Sequence, residues 1–386
     1  MRLPKEPAGI IGAENTTAID MAKAARPTRN EQPAPQSVAA RPGAATLRDV
    51  AELACVSKAT VSRFINSPEI VSPSVRERIQ VAIDHLGWVP HAAARALATQ
   101  RTGTIGAVFP TLANEHFATA IQTLQEALEQ VGYTLLLGCS QYDPEREYRQ
   151  VRTMLERGVD AVVLVGEAHH PDLYTLLGQR QVPFVNTFVY RDGSDTLCVG
   201  IDNHQAFFDF TTYLIGLGHR RFAMLSQNAD SNDRARARRE GVRDALAEHG
   251  LGISAAHMVE GYWGAHQGRE LFSKVMESPQ PPTVVICGNG SFAMGAMLEA
   301  MQKGYDIPNE LSLVGFDDFE LMSELPIPIT TVRVPSAEIG ATAAKIILAE
   351  LAQKGSASSV KCEAEIIVRA SSGPPPKASK ARKTRR

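Results

Sequence analysis

The chain has 386 residues, of which 44% are hydrophobic and 21% are charged, and its formal net charge is −2. This composition predicts a globular protein large enough for more than one domain. A net charge so close to zero gives no support for nucleic-acid binding, which must be argued from local motifs. The five cysteines lack CxxC or Cys/His spacing, which argues against zinc, and their odd number and apolar neighbours predict reduced core thiols in a cytoplasm.

The two ends of the chain and its hydropathy give further expectations. No apolar run reaches the length of a membrane span, and the amino terminus lacks the continuous apolar segment of an export signal, so we expect a cytoplasmic protein with no membrane partner. Residues 1–45 are rich in Pro, Ala and small polar residues without a period, which predicts a disordered extension. Residues 373–386 contain three prolines and end with six basic residues among ten, which predicts a disordered basic tail.

The segment TLRDVAELACVSKATVSRFIN, residues 46–66, has the residue types of a helix-turn-helix. Thr46 and Asp49 predict a capping box at the start of the first helix, and Val50, Leu53 and Ala54 predict its apolar face. Ala51 is small where a second helix must cross, and Cys55-Val56-Ser57 supplies a tight connection. Two short amphipathic helices of this kind also occur in ordinary helical domains, so the pattern alone leaves DNA binding open.

A second helix is predicted from Lys58 to Ile65, with Ser57 as its N-cap. Val61 and Ile65 point inward, which leaves short polar and cationic side chains outside, where they suit base edges and phosphates. The residues predicted to contact DNA from this motif are Thr46, Ser57, Lys58, Ala59, Thr60, Ser62 and Arg63.

A third helix completes the predicted domain of residues 46–90. Ser72-Pro73 opens it as N-cap and first helical residue, and Gly87 ends it. Its predicted apolar face consists of Val75, Ile79, Ala82, Ile83 and Leu86. Three helices of this size can just bury a core.

Several motifs in order and at the right spacing resemble the lactose/purine repressor (LacI/GalR) family of bacterial transcription regulators. They are TLRDVAELACVSKATVSRFIN, VSPSVRERI, LGWVPHAAARALATQRTGTIG, IDN, LGHRR and LVGFDD, and the resemblance runs from about Thr46 to Ser372. It implies that residues 91–103 form a hinge helix and linker that order on operator DNA. His91, Ala94 and Leu97 would then contact DNA, with Leu97 wedged into a minor-groove step. The segment ARALA could also be a helix favoured only by its alanines.

From Thr104 onward, short apolar runs alternate with amphipathic helical stretches. The predicted strands are TIGAVF, YTLLLGC, DAVVLVG, PFVNTFV, TLCVGID, RFAMLS, TVVICG, LSLVGFD, ITTVRV and EIIVR, with helices between them such as 117–131, 145–157, 205–217, 236–249 and 291–303. This alternation predicts parallel sheets covered by helices on both faces. Residues 104–372 exceed one core, so the predicted fold class is α/β, a helix-turn-helix head followed by a two-lobed core like that of periplasmic binding proteins.

Ligands in such sheets lie beyond the carboxyl ends of the strands. The candidates at those positions are Pro110, Asn114, His116, Phe117, Gln141, Tyr142, Asp143, Asn289, Asp317 and Asp318. The resemblance implies that the effector cleft uses Phe117, Arg238 of the R-x-x-G pattern, Asn289 and Asp317. A guanidinium and carboxylates beside an aromatic wall suit a sugar, a sugar acid or a nucleobase.

Each of these residues also has a purely structural interpretation. Asp317 and Asp318 could cap the next segment, Asn289 could be a turn residue, and Arg238 lies in RARARR, which could be a solvated face. The chain departs from the family pattern where Gly290, rather than Asp, follows Asn289. The segment TFVYRD leaves open whether Asp192 replaces a family acidic residue, and Lys58-Ala59 prevents copying an operator from a relative.

Two other classes of protein remain as alternatives. The sequence GNGSFA, residues 288–293, follows a predicted strand and opens a helix, as in the dinucleotide pattern G-x-G-x-x-G/A, so an NAD-dependent oxidoreductase is the alternative function. A solute-binding protein would need an export signal and no helix-turn-helix. There is no P-loop, and His169-His170 lacks partners at metal spacing, so no catalytic residue, cofactor or metal is predicted.

Taken together, the motifs predict a ligand-responsive transcription regulator, a repressor and not an enzyme. As the resemblance implies, it acts as a homodimer on double-stranded, near-palindromic operator DNA. A small-molecule effector between the lobes, a sugar, sugar acid or related metabolite, controls its DNA affinity.

Overall fold

The computed structural model describes residues 45–89, 101–352 and 357–377. The chain forms two compact units, which divide between Val89 and Pro90. The predictions for the amino-terminal extension, for the hinge residues His91, Ala94 and Leu97, and for the last nine residues of the tail lie outside the described residues.

The first unit contains three α-helices: α1 (Leu47–Leu53), α2 (Lys58–Asn66) and α3 (Pro73–Leu86). The predicted capping box is present, because Thr46 Oγ1 accepts from the Asp49 amide and the Asp49 carboxylate accepts from the Thr46 amide at 2.7 Å. Ser57 Oγ accepts from the Thr60 amide at 3.1 Å and caps α2 as predicted. Gly87 ends α3 in the left-handed conformation, with φ of 56°.

The core of this unit differs from the prediction at Leu53, which is 49% exposed. Leu53 lies about 100° around α1 from the middle of the side that Val50, Ala51 and Ala54 bury, since successive residues are about 100° apart. The apolar core consists of Val50, Ala51, Ala54, Val61, Val71, Ile79, Ala82 and Trp88.

The second unit is an α/β structure of two lobes, as predicted, each built on a six-stranded sheet. Its strands are β1 (Thr104–Phe109), β2 (Thr134–Cys139), β3 (Ala161–Val165), β4 (Phe184–Thr187), β5 (Cys198–Gly200), β6 (Phe222–Gln227), β7 (Met258–Gly261), β8 (Val284–Cys287), β9 (Ser312–Asp317), β10 (Thr330–Arg333), β11 (Val360–Lys361) and β12 (Glu365–Ile367). Its helices are α4 (Glu115–Glu129), α5 (Pro144–Glu156), α6 (Leu173–Gln179), α7 (Asn203–Gly216), α8 (Asp233–Glu248), α9 (Ala265–Met276), α10 (Gly290–Gln302), α11 (Glu320–Glu324) and α12 (Ser336–Leu351).

The strand orders show how the chain passes between the lobes. The first sheet has the order β11-β5-β4-β3-β1-β2 and the second β12-β10-β9-β8-β6-β7. The prediction of wholly parallel sheets is wrong for β12, which pairs antiparallel with β10. The chain crosses between the lobes after β5, after β10 and after β11, so neither lobe is one continuous segment.

Hydrogen bonds extend the second unit past the boundaries predicted for it. The amides of Thr102 and Gly103 donate to the two carboxylate oxygens of Asp160 at 2.9 and 2.8 Å. At the other end, the Gly373 amide donates to Ser312 Oγ at 3.0 Å, and its carbonyl accepts from His219 Nε2 at 2.9 Å. The predicted tail therefore begins later than Gly373, because that residue bonds to the sheet and to a buried histidine.

The cysteines fit the prediction of core thiols only in part. Cys198, Cys287 and Cys362 are buried and Cys139 is half-buried, and all five cysteines are free thiols. Cys55 is exposed, because it occupies the tight turn between α1 and α2 with φ of 54°.

Three pairs of helices approach each other closely at glycine residues. A Cβ atom added to Gly241 of α8 would overlap the carbonyl oxygen of His204 in α7. Gly340 of α12 and Gly295 of α10 meet carbonyl oxygens of α4 and α9 in the same way. The glycine of the R-x-x-G pattern is thus required by the packing of α8, and that packing holds Arg238 in place.

We expect Gly241→Ala to lower the free energy of unfolding of the second unit by about 1–3 kcal/mol, because the added methyl group must push two helices apart. Gly252→Ala is the matched control, since its added Cβ meets no heavy atom within 4 Å, and it should change stability by less than about 0.5 kcal/mol. Urea denaturation followed by circular dichroism measures both. Equal losses in the two variants would contradict the close-packing explanation.

Candidate ligand-binding cleft and nucleic-acid interface

The carboxyl ends of strands from both lobes border one cavity of about 410 Å³. This volume includes space open to solvent, and the cavity is called the cleft below. The residues that line it are Asn114, His116, Phe117, Tyr142, Phe188, Ile201, Asn203, Gln227, Asn232, Arg234, Arg238, Asn289, Phe316, Asp317 and Val334.

All four residues predicted for the effector cleft lie in this lining. Phe117 is in the first turn of α4, Arg238 is in the middle of α8, Asn289 follows β8, and Asp317 ends β9. Each is at least nine-tenths buried. The structure thus brings together side chains separated by up to 200 positions in sequence. Whether they bind a ligand remains a proposal.

Other residues named as candidates by their place after a strand lie elsewhere. Pro110 and Asp143 border a smaller neighbouring cavity, and Gln141 bonds to Arg146. Asp318 lies outside the lining and pairs with Arg333 and Arg369 at 2.8 and 2.6 Å. Asp192 is exposed and also lies outside the lining of the cleft.

One wall of the cleft is aromatic. The Phe117 ring meets the Phe109 and Phe188 rings edge-on, at centroid distances of 5.7 and 5.1 Å. The His116 ring lies 4.4 Å from the Phe188 ring. Such a wall offers ring faces and edges against which the apolar face of a sugar or a base can pack.

Arg238 is a cation buried in the opposite wall. Its Nη1 donates to Asn203 Oδ1 at 2.7 Å, and its guanidinium lies 4.8 Å from the Phe316 ring centroid. Burial lowers the pKa of Arg238 to about 10, so the side chain stays charged at neutral pH. Its buried Nε has no hydrogen-bond partner among the residues that the structure describes. This N–H group is therefore open to an acceptor on a ligand.

Asn289 and Asp317 form a second polar group in the same lobe. Asn289 Oδ1 accepts from the Phe292 amide at 2.8 Å and caps α10, whereas its buried Nδ2 lacks a partner within the described chain. Asp317 has a φ of 82°, a strained value for a residue other than Gly. Its Oδ2 accepts from the Gly290 amide at 3.1 Å, and its Oδ1 lies 4.0 Å from His116 Nε2.

Several lining residues were missed at the sequence level, most notably Arg234. Arg234 and Arg238 are four residues apart in RARARR, which places both on one face of a helix, so the spacing was available as a signal. Arg236 and Arg239 of the same run instead bond to loop carbonyls and to Glu260. Asn203 and Phe316 lie in the motifs IDN and LVGFDD, whereas no comparable local pattern marks Gln227, Asn232 and Phe188.

The histidine pair named in the sequence is part of the protein's own hydrogen-bond network. His169 Nδ1 lies 2.6 Å from Glu147 Oε2. Burial is the largest single effect and lowers the pKa of His169, but the hydrogen bond and charge of Glu147, together with Asp233 and the Gly166 carbonyl, outweigh it and raise the pKa. In the part of the chain that the structure describes, no cluster of three or more His, Cys, Asp or Glu side chains could hold a metal ion.

The GNGSFA segment follows strand β8 and opens α10, as the dinucleotide alternative requires. Its backbone donors are already engaged, however: the Gly290 amide bonds to Asp317, and the Phe292 amide bonds to Asn289. A phosphate would have to displace these groups to reach the start of α10.

The predicted DNA contacts of the first unit lie on α2 and at the N-caps of α1 and α2. Thr46, Ser57, Lys58, Ala59 and Arg63 are exposed, while Thr60 and Ser62 are half-buried. The Thr60 hydroxyl lies 2.9 Å from the Ser57 hydroxyl. Among the described residues, none of the helices is both long and apolar enough to span a membrane.

Comparison with known proteins assigns both units to one family. Residues 46–91 match the model for bacterial regulatory proteins of the lacI family, and residues 102–367 match the model for periplasmic binding proteins and the sugar-binding domain of the LacI family. The ribose operon repressor of Escherichia coli (strain K12) is 31% identical over 312 residues, which cover 80% of this chain and 94% of the relative.

Two solved structures have the same fold. A LacI-family transcriptional regulator from Silicibacter pomeroyi superposes with a TM-score of 0.77 at 28% identity, covering 85% of this chain and 99% of the other. The Lac repressor dimer bound to operator and an anti-inducer gives a TM-score of 0.77 at 24% identity, with the same coverage of 85% and 99%. The chain belongs to the LacI family of bacterial regulatory proteins.

We expect acid to destabilise the second unit through His116. Burial lowers the pKa of His116 to about 4, an effect that Asp317 opposes and that Arg238 and Arg234 reinforce. Because this value is below the ordinary pKa of 6.5, the unfolded chain takes up the proton first as the pH falls. The stabilisation is complete above pH 6.5 and is lost by about pH 4, a change of about 3 kcal/mol.

Urea denaturation at a series of pH values tests this expectation. His116→Gln should flatten the pH dependence across that interval. His266→Gln, which removes an exposed histidine of the same unit, should leave it unchanged. An unaltered slope in the His116 variant would contradict the assignment.

Proposed function

We propose that this protein is a ligand-responsive transcription regulator, a repressor, whose DNA affinity is controlled by a small molecule in the cleft. The observation that carries the proposal is the pair of buried, unpartnered donors among the described residues, Arg238 Nε and Asn289 Nδ2, in a cavity walled by both lobes. Buried donors without acceptors are costly, so a ligand that supplies acceptors is stabilised there. The chain also carries a helix-turn-helix unit of the same family.

The proposed effector is a small hydroxylated molecule, a sugar, sugar acid or related metabolite. Phe117 packs against one face of its ring, Arg238 and Asn289 donate to its oxygens, and Asp317 accepts from its hydroxyl groups. The name of the ribose operon repressor, which refers to a sugar, supports this class of ligand.

The proposed DNA complex contains a homodimer on double-stranded operator DNA. Lys58 to Arg63, the DNA-binding helix, enters the major groove in each half-site, with Thr46 and Ser57 near the phosphates. His91, Ala94 and Leu97 form the hinge contacts, and Leu97 is the minor-groove wedge. The Lac repressor dimer, which has the same fold and was solved with operator DNA, supports this arrangement.

Control follows from differential binding of the effector to two arrangements of the lobes. The Glu167 amide of the first lobe donates to Asp233 Oδ2 of the second at 2.9 Å, and the Glu320 amide of the second donates to Glu115 Oε1 of the first at 2.9 Å. A ligand between the lobes favours the arrangement in which its own contacts are best. Thr102 and Gly103, which follow the proposed hinge in sequence, bond to Asp160 of the first lobe, so we expect a change in the lobe angle to alter DNA affinity.

An NAD-dependent oxidoreductase is the alternative, and the engaged amides of Gly290 and Phe292 count against it. The named relatives are repressors and regulators, which supports a protein without enzyme activity. A regulator of chromosomal operators works where the DNA is, so we propose a cytoplasmic location.

The first experiment is selection of genomic fragments with the purified full-length chain. We expect a near-palindromic site to be enriched, because a dimer with two-fold symmetry binds two half-sites. Arg63→Ala should weaken binding to that site about tenfold or more, whereas Arg78→Ala, an exposed arginine of α3, serves as the matched control. Failure to enrich any sequence, or equal effects of the two variants, would contradict the proposed DNA-binding helix.

The second experiment tests the cleft. Asp317→Asn keeps a residue type that tolerates positive φ but removes the charge, so we expect at least about tenfold weaker effector binding with operator binding unchanged. Titration of the recovered operator with a panel of sugars, sugar acids and nucleobases gives the response. Glu248→Gln, an exposed carboxylate on α8, makes the same chemical change outside the cleft. An Asp317 variant with the wild-type response would remove that residue from the site.

A further inference from the structure

Three asparagines that line the cleft turn their side-chain oxygens away from it. Asn114, Asn232 and Asn289 are the N-caps of α4, α8 and α10. Their Oδ1 atoms accept from the amides of His116, Ala235 and Phe292 at 2.9, 3.1 and 2.8 Å. A backbone N–H can only donate, so the caps fix which end of each amide faces the helix.

The remaining amide side chains of the lining follow the same pattern. Asn203 Oδ1 accepts from Arg238, and Gln227 Oε1 accepts from Asn232 Nδ2 at 3.3 Å. The two unpartnered buried atoms of the lining, within the described residues, are both donors, on Arg238 and Asn289. Those residues are 5% and 4% exposed. The lining therefore has two buried N–H groups that acceptors on a ligand could satisfy.

Positive charge also outweighs negative charge in the lining. Arg234 and Arg238 are one turn apart on α8, both are at least nine-tenths buried, and like charges at this spacing repel. The amino-terminal, positive ends of α4, α8 and α10 also border the cleft, because their N-cap residues line it. Asp317 is the one carboxylate in the lining as far as the structure describes it, and one of its oxygens is engaged by the Gly290 amide.

Arg234 has a carboxylate partner that it shares with another group. Its Nη1 lies 3.3 Å from Oδ1 of Asp233, a carboxylate outside the lining. The other oxygen of Asp233 accepts from the Glu167 amide of the first lobe. Asp233 therefore bonds both to the Arg234 guanidinium and to the Glu167 amide of the other lobe. Because Arg234 shares this carboxylate, it can bind a second anion.

We propose that the effector is a hydroxylated carboxylic acid whose carboxylate binds Arg234 and Arg238. Arg234 determines the preference for the acid over the neutral sugar of the same skeleton. The inference rests on the proposed function, because it assumes that the cleft is the effector site. A guanidinium bonds to a carboxylate through two parallel N–H groups, an arrangement that a hydroxyl group does not match.

The test uses sugar acids paired with neutral molecules of the same carbon skeleton. The probes are D-gluconate with D-glucitol, D-glucuronate with D-glucose, and D-galacturonate with D-galactose, each at millimolar concentration. The full-length chain is melted with each probe, and affinities are then measured by calorimetry. We expect at least one acid to raise the melting temperature while its neutral counterpart does not.

Variants of α8 assign the preference to Arg234. Arg234→Gln should weaken binding of that acid about tenfold or more, the effect of losing a charged hydrogen bond. Arg234→Lys keeps the charge but not the paired N–H groups, so it should bind the acid with intermediate affinity and also serves if the Gln variant does not fold. Arg243→Gln, at an exposed position of the same helix, should bind like the wild type.

Operator binding, measured on the same preparations, separates the two proposals. A neutral sugar that binds as well as its acid, or that alone shifts operator affinity, would overturn the acid assignment and leave the regulator intact. The acid assignment would also be overturned if none of the three acids raised the melting temperature, or if the Arg234→Gln variant bound the acid with full affinity. Loss of operator binding by the wild-type chain would instead contradict the proposed function.

Discussion

The burial of Arg238 is the constraint on which the cleft depends. A guanidinium cannot lose its charge at any physiological pH, so the protein must surround it with compatible groups. Asn203 accepts one N–H group, and the Phe207 and Phe316 rings lie near the guanidinium at 5.8 and 4.8 Å. Aromatic faces attract a cation without bonding its N–H groups. The structure therefore fixes the Arg238 guanidinium in place, while its Nε–H group stays available to an acceptor on a ligand.

The same charge affects its neighbours in both lobes. His116 belongs to the first lobe, and Arg238 and Arg234 of the second lobe help to keep its pKa low. His116 also bonds through Nδ1 to Ser336 Oγ at 2.6 Å, just after the chain has crossed back to the first lobe. A ligand that adds negative charge to the cleft would change the balance at His116 and at the crossing together. The electrostatics of the site and the connection between the lobes are thus one system.

Local patterns in the sequence predicted most of the fold. The capping box at Thr46, the Gly at the end of α3 and the apolar runs of the strands each reflect interactions between residues close in sequence, so they can be recognised without a structure. β12 was assigned to a parallel sheet because an apolar run does not encode strand direction, which the last chain crossing decides. Leu53 was placed inside because a seven-residue helix has too few residues to define its buried side.

The site was predicted less completely, for a related reason. Phe117, Asn289 and Asp317 follow strands, and the family motifs pointed to them and to Arg238. Arg234 lies in a charged run whose members have opposite environments, and only the packing of α8 against α7 determines which of them face the cleft. The orientation of the capping asparagines also depends on where three helices begin in space. A helix cap near a strand end can be recognised in the sequence. That three such caps meet at one cavity can be seen only in the folded structure, because the sheets determine where the helices begin.

The two roles proposed for the chain place opposite demands on its charges. DNA binding needs cations that stay hydrated and exposed, as Lys58 and Arg63 are, because phosphate contacts form by exchange with counterions. The cleft needs cations that are desolvated and fixed, because a buried guanidinium distinguishes an acid from a neutral analogue far better than a solvated one. A net charge of −2 therefore does not reveal that the chain has two groups of cationic side chains. Their functions depend on burial, which global composition cannot report.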